Sequence, residues 1–346
     1  MAALGLTTYR LNNNLKSTAL LIAFPVLLLA LLGVVFFAVG LVSGRSMRMN
    51  VFGVSSILGT GTPLDFAVSA IVAWWPIVVG IAAVWVTIGY FFNDWIIHKA
   101  TGAVPVDGRQ EPELYRLVEN LCISRGLTVP KLYVIETDAM NAYASGIDDR
   151  TYAITVTRGL LKQLNQTELE AVLAHELTHI MERDTRVLIV TIVFVGMISF
   201  LAQLLWRSLQ FSSFRRVRGK NGAPVILLML IAAVAFAVGY VLALVLRFAI
   251  SRRREFQADA GSVDLTKNPD ALVSALQKIA GNPDVPHVPT EVRQMFIENP
   301  SSALDLGGLF ATHPAISKRI AVLQQLGGHL PQTVTPPGVP QTSPWA

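Results

Sequence analysis

Residues 175–179 read His-Glu-Leu-Thr-His. Two histidines four apart on a helix project from one face, one turn above the other, so both imidazoles can reach a single ion. Zinc accepts such nitrogen ligands, and a catalytic zinc keeps a position open for water while three protein groups hold it. The ion lowers the pKa of that water to about 7, which makes hydroxide available at neutral pH. Glu176, beside the first imidazole, is placed to take the water's proton and return it to a leaving amine. The pattern points to metal-assisted peptide-bond hydrolysis, with one zinc per chain, His175 and His179 as ligands and Glu176 as general base.

A third protein ligand must come from elsewhere. Residues 254–259 read Arg-Glu-Phe-Gln-Ala-Asp, and Glu255 and Asp259 lie four apart on a predicted helix. One can bind metal while the other hydrogen-bonds a ligand imidazole and fixes its tautomer. The pair could equally neutralise Arg252, Arg253 and Arg254. The residues alone leave both readings open.

The elements that must position these groups can be read from periodicity. Leu114, Leu117, Val118 and Leu121 predict a helix over 111–125, ending near Gly126. Short strands follow at 131–135, 140–147 and 151–157, the last two forming a hairpin about Asp148, Asp149 and Arg150. The helix carrying His175 is expected to start at Thr167 and Glu170, which fit a capping box. Further helices are expected at 252–263, 271–279 and 316–326, with a proline-containing loop over 281–300 and a disordered tail over 331–346.

Composition sets these elements beside a membrane. Apolar residues make up 52% of the 346 and charged residues 15%, against a usual quarter or so. Charge is missing between Lys16 and Arg45, Asp65 and Asp94, Arg186 and Arg207, and Lys220 and Arg247. About 20 apolar residues at 1.5 Å each cross a hydrocarbon core of about 30 Å. These stretches predict four transmembrane helices, at 18–43, 66–92, 188–206 and 224–250. The chain then divides into a membrane region over 1–93, a first catalytic part over 94–187, two more spans over 188–250, and a second catalytic part over 251–330. Basic groups flank the spans, so lipid headgroups rather than nucleic acid are their expected partners. The single cysteine, Cys122, excludes an intramolecular disulfide and fits a reducing compartment. Span interiors free of charge argue against a transporter or scaffold.

Together the HELTH segment, the Glu-x-x-x-Asp helix after two further spans, and Thr312-His313-Pro314 resemble the HtpX membrane metalloproteases, relatives of the CAAX prenyl-protein endopeptidases. The resemblance runs from about Asp107 to Leu326 and includes the number of spans. It implies a mostly α (α+β) zincin-type domain in an α-helical membrane protein, with a small sheet lining the cleft. It makes Glu255 the third zinc ligand, leaves Asp259 to orient a ligand imidazole, and gives Glu176 the role of base. Asn141, Ala142 and Tyr143 resemble the family's substrate strand, on which a substrate backbone adds by main-chain hydrogen bonds. His313 and Arg319 resemble its His-Pro segment, where either could stabilise an oxyanion. The implied substrates are peptides or membrane proteins cut close to the bilayer. The implied role is stress-related quality control, with site-specific processing of a membrane-bound or lipidated protein as the alternative. The implied location is a bacterial-type inner membrane, with the catalytic domain cytoplasmic.

Overall fold

The computed structural model describes residues 25–37, 47–51, 54–58, 62–193, 254–286, 290–293, 295–298 and 314–325, with isolated positions elsewhere. In chain order, helix α1 spans Pro25–Phe37, followed by the antiparallel hairpin β1 (Met47–Val51) and β2 (Val54–Leu58). Sequence analysis has no element at that hairpin. Helix α2 is Pro63–Thr101, opened by a reciprocal cap between Thr62 and Asp65 and closed by Gly102 at φ 69°. A left-handed residue is where glycine most often ends a helix.

At 1.5 Å per residue, 39 residues make a rod of about 58 Å, nearly twice a hydrocarbon core. Pro76 lies within it and does not end it. Only 6% of its most apolar stretch is buried. Val72, Trp75, Ile81, Val84 and Phe91 face outward, whereas Asn93, Ile97, His98 and Thr101 near its end are buried. The span expected at 66–92 thus runs without a break into the folded domain. Among the described residues it is the one helix long and apolar enough to cross a membrane. The expected first span is described over Pro25–Phe37, the third over its start, and the fourth lies outside the described residues apart from Ala233.

The folded domain starts with β3 (Val104–Val106), α3 (Pro112–Arg125), β4 (Lys131–Ile135), β5 (Ala142–Ser145), β6 (Ala153–Thr157) and α4 (Arg158–Gln163). The sheet order is β3-β4-β6-β5, with β4 parallel to β6 and the other pairs antiparallel. The hairpin about Asp148 is present, with Tyr143 opposite Thr155. Strand β5 forms the sheet's edge.

Helix α5 is Gln166–Met181, and it starts earlier than Thr167. Asn165 is the cap: its Oδ1 accepts from the Glu168 N–H at 2.9 Å, and the Glu168 carboxylate accepts from the Asn165 N–H at 2.9 Å. Asn-x-x-Glu satisfies the same two orphan donors as the expected box, and asparagine caps better than threonine. Helix α6 begins at residue 184 and is described to 193, and α7 covers 254–266. Helices α8 (Pro269–Ile279), α9 (Thr290–Arg293) and α10 (Ile316–Gln325) complete the set. The short α9 lies in a stretch that sequence analysis assigns to loop.

The core packs α3, α5, α8 and the sheet around Val118, Ile154, Leu173, Leu177 and Leu276. Lys278 of α8 binds Glu168 at 2.7 Å, which fixes the start of α5. Helix α7 also packs on α5, where Ser262 Oγ donates to the Ala171 carbonyl at 2.6 Å. At Gly261 the backbones come so close that an added Cβ would overlap Thr178 Cγ2. Thr178 cannot turn away freely, because its Oγ1 donates to the Ala174 carbonyl and β-branched χ1 is stiff on a helix. Gly261→Ala is therefore expected to destabilise the protein by about 1–3 kcal/mol through overpacking. Adding Thr178→Ala should recover most of the loss, as read from thermal unfolding in detergent.

Candidate metal centre

Two helices bring four chemical groups together by the same spacing. His175 and His179 share one face of α5, and Glu255 and Asp259 share one face of α7. The imidazole centroids are 4.8 Å apart with ring planes at 89°. His175 Nε2 stands 3.7 Å from Glu255 Oε2, and His179 Nε2 stands 3.7 Å from Glu255 Oε1. One ligand atom from each of the three residues lies within 4.8 Å of the others.

Ligands at about 2.1 Å around a tetrahedral zinc stand roughly 3.4 Å apart. Two nitrogens and a carboxylate oxygen at the spacing found here fit that geometry. Glu255 rather than Asp259 faces both Nε2 atoms, so the structure favours it as the group that could complete the set.

The other ring nitrogens point the opposite way, each at a carboxylate. His175 Nδ1 is 3.1 Å from Asp259 Oδ1, and His179 Nδ1 is 3.1 Å from Asp184 Oδ2. A carboxylate on Nδ1 keeps the proton there and leaves Nε2 as the lone-pair donor. Asp259 is expected in that place from the family resemblance; Asp184 is not. On an unbroken helix Asp184 would lie off the His179 face, but a turn at Glu182–Arg183, with Arg183 at φ 60°, separates α5 from α6. Helix α5 therefore does not continue straight towards the third apolar stretch.

Glu176 is buried beside the first histidine. Its carboxylate faces the backbone N–H of Ala144 in β5, and Oε1 has no hydrogen-bond partner among the described residues. Burial raises its pKa, and the two imidazoles only partly offset that. For His175, burial disfavours the charge, but hydrogen bonds to Asp259 and Glu255 outweigh it and push the pKa up to about 9. Asp259 is held low despite its burial, first by the charge of Arg319 and then by its bond to His175.

Arg319 reaches the site from α10. It is fully buried and forms a two-pronged pair with Asp259, Nε to Oδ2 at 2.9 Å and Nη2 to Oδ1 at 2.6 Å. Its Nη1 donates to the Ile297 carbonyl at 3.0 Å. These bonds hold the guanidinium against the carboxylate behind His175, and it also borders the point shared by the three ligand residues, with Nη1 3.5 Å from Glu255 Oε2 and Nη2 3.4 Å from His175 Nε2. His313 lies outside the described residues.

Asn141, Ala142 and Tyr143 are brought to the site, since β5 reaches Glu176 through Ala144. Their outward groups are nevertheless engaged within the chain. The Ala142 carbonyl accepts from Ile297 N–H at 2.8 Å, and Asn141 Nδ2 donates to the carbonyls of Pro283 and Glu298, both at 2.7 Å. Tyr143 is buried, with its hydroxyl 3.0 Å from Thr101 Oγ1 and its ring edge-on to Phe296.

Residues 108–326, which contain this whole constellation, match the description "Peptidase family M48". The chain belongs to peptidase family M48. It is a metalloprotease, which sets aside a transporter or scaffold. M48 relatives agree with this along most of the length. A "Protease HtpX homolog" of Bacteroides fragilis (strain YCH46) is 45% identical over 331 residues, covering 94% of this chain and all of the relative. One of Nostoc punctiforme is 39% identical over 259 residues, covering 73% of this chain and 86% of the relative. Among solved structures, S. mikatae Ste24p matches with 19% identity and a TM-score of 0.46, over 72% of this chain and 58% of that one.

The buried Asp259–Arg319 pair gives this M48 site a measurable signature. Arg319→Met leaves a buried carboxylate uncompensated and should cost about 3–5 kcal/mol. The double variant Arg319→Met/Asp259→Asn should cost clearly less than the sum of the two single changes, as read by denaturant unfolding.

Proposed function

We propose that the chain is a membrane-embedded zinc endopeptidase that cuts membrane proteins close to the bilayer surface, in the quality control of misfolded or damaged ones. The observation that carries the chemistry is the convergence of His175 Nε2, His179 Nε2 and the Glu255 carboxylate beside a buried Glu176. Zinc, when bound there, would supply Lewis acidity and a water of lowered pKa. Glu176 has an oxygen with no hydrogen-bond partner among the described residues and is assigned as the group that accepts and returns a proton. Asp259 and Asp184 hold the imidazoles in the ligating tautomer. Strand β5 is assigned to align substrate backbone at Ala144, next to Glu176, while Asn141 ties Pro283 and Glu298 against the strand's other end. Four spans, a catalytic domain in two parts and a cytoplasmic active site complete this reading. The exposed apolar face of α2 supports the membrane location.

The proton role and the ligand role separate experimentally. Glu176→Gln should retain zinc yet lose at least about 100-fold in peptide hydrolysis, the scale of general acid–base catalysis. Glu255→Ala should lose zinc as well. Metal content and turnover on the purified variants check both, and near-normal turnover of Glu176→Gln would overturn the assignment of the base.

Nearness to the bilayer is tested with single-span substrates whose one cleavable segment is moved outward on a flexible linker. Cleavage should peak within about 10–20 residues of the span, a reach set by flexible-chain dimensions. Equal cutting at every distance, or a preference for soluble unfolded protein, would overturn the placement near the membrane.

A further inference from the structure

The break after α5 is strained and serves a geometric purpose. Arg183 sits at φ 60°, a left-handed conformation that costs a residue with a side chain roughly 1–2 kcal/mol. On an uninterrupted helix Asp184, five residues after His179, would lie about 140° round the axis from it. The reversal instead sets the Asp184 carboxylate 3.1 Å from His179 Nδ1.

What holds Asp184 there comes from the other ligand-bearing helix. Arg254 Nη1 donates to the Asp184 backbone carbonyl at 3.1 Å and stands 3.8 Å from its Oδ1. Both residues are buried. Sequence analysis groups Arg254 with Arg252 and Arg253 beside lipid headgroups, and the structure turns it inward instead. Its chain neighbour is Glu255, so a single side chain joins the turn that orients His179 to the turn that presents Glu255. The other imidazole has a related but tighter support, where Arg319 holds both carboxylate oxygens of Asp259 behind His175.

We propose that Arg254 is a positioning residue for the metal centre. Through Asp184 it keeps the His179 proton on Nδ1 and aims Nε2 at the point shared with His175 and Glu255. This rests on the zinc-peptidase reading and adds to it a second Arg–Asp–His chain. A guanidinium suits the task because it stays charged when buried, so its Nη1 can bond the Asp184 carbonyl while the cation faces the carboxylate.

The test uses the full chain in detergent and two readouts that need no substrate: zinc affinity by chelator competition, and the visible spectrum of the Co2+-loaded protein. Asp184→Asn and Arg254→Met should each weaken zinc binding about 10–100-fold, the range for losing a partner of a ligand, and each should change the cobalt spectrum. Arg254→Lys should recover part of the affinity. Combining Arg254→Met with Asp184→Asn should add little, because both act along one path. A folded Arg254→Met protein with wild-type zinc affinity and cobalt spectrum would overturn the proposal, as would full additivity with Asp184→Asn. Should Arg254→Met fail to fold, Arg254→Lys and Asp184→Asn decide on the same readouts, and wild-type values in both would overturn it. Wild-type protein that binds neither metal sinks the peptidase reading itself; normal wild-type binding with unaffected variants sinks only the positioning role.

Discussion

Everything at the site depends on how closely α7 can approach α5. The turns carrying His175 and Glu255 on two separate helices meet only if the helices pack closely, and Gly261 leaves the room that the Thr178 side chain fills. A side chain there would hold Glu255 and Asp259 away from the imidazoles. The Ser262 hydrogen bond to the Ala171 carbonyl fastens the same packing. Spacing of four on each helix then does the rest: both histidines of α5 meet the shared point, while on α7 Glu255 meets it and Asp259, one turn on, meets His175 Nδ1.

The same packing concentrates charge where water is scarce. His175, Glu176, Asp184, Arg254, Glu255, Asp259 and Arg319 are all buried. Isolated, any of these charges would be costly, and even paired ones add little net stability. Each cation is set against a carboxylate, and two of the carboxylates sit against ligand imidazoles. The physical return on such a network is orientation. Side chains locked by charged bonds keep their aim better than side chains held by packing alone.

The centre of the site is legible in the sequence, its surroundings much less so. His175, Glu176 and His179 follow from one motif because helical spacing converts directly into a shared face. Between Glu255 and Asp259 the residues cannot choose, since both sit on one face; the structure separates them by what each imidazole nitrogen meets. Asp184 is invisible for a geometric reason. A position five beyond His179 matters only once the helix breaks, and an arginine in the left-handed region gives little local warning of a break. Arg254 looks like a member of a basic run, and only tertiary packing turns it inward. In the fold, strands β4 to β6 and helices α3, α8 and α10 follow periodicity closely. The start of α5 shifts because Asn165 competes with Thr167 for the same capping role. Closure of the β5 edge by Ile297 joins residues more than 150 apart in the chain, and no local pattern encodes it.

Helix α2 joins an exposed apolar stretch to the folded domain as one rigid rod. Its apolar stretch continues as a single helix to Thr101, whose hydroxyl meets that of Tyr143 in β5. Beside Tyr143 in the same strand, the Ala144 backbone N–H faces Glu176. Set in a bilayer, a rod of about 58 Å that tilts by about 5° about its middle moves its end by roughly 2–3 Å. Hydrocarbon thickness governs such tilts. With the proposed membrane placement, a lipid-dependent angle at one end of α2 becomes a displacement at the other, beside the strand that borders Glu176.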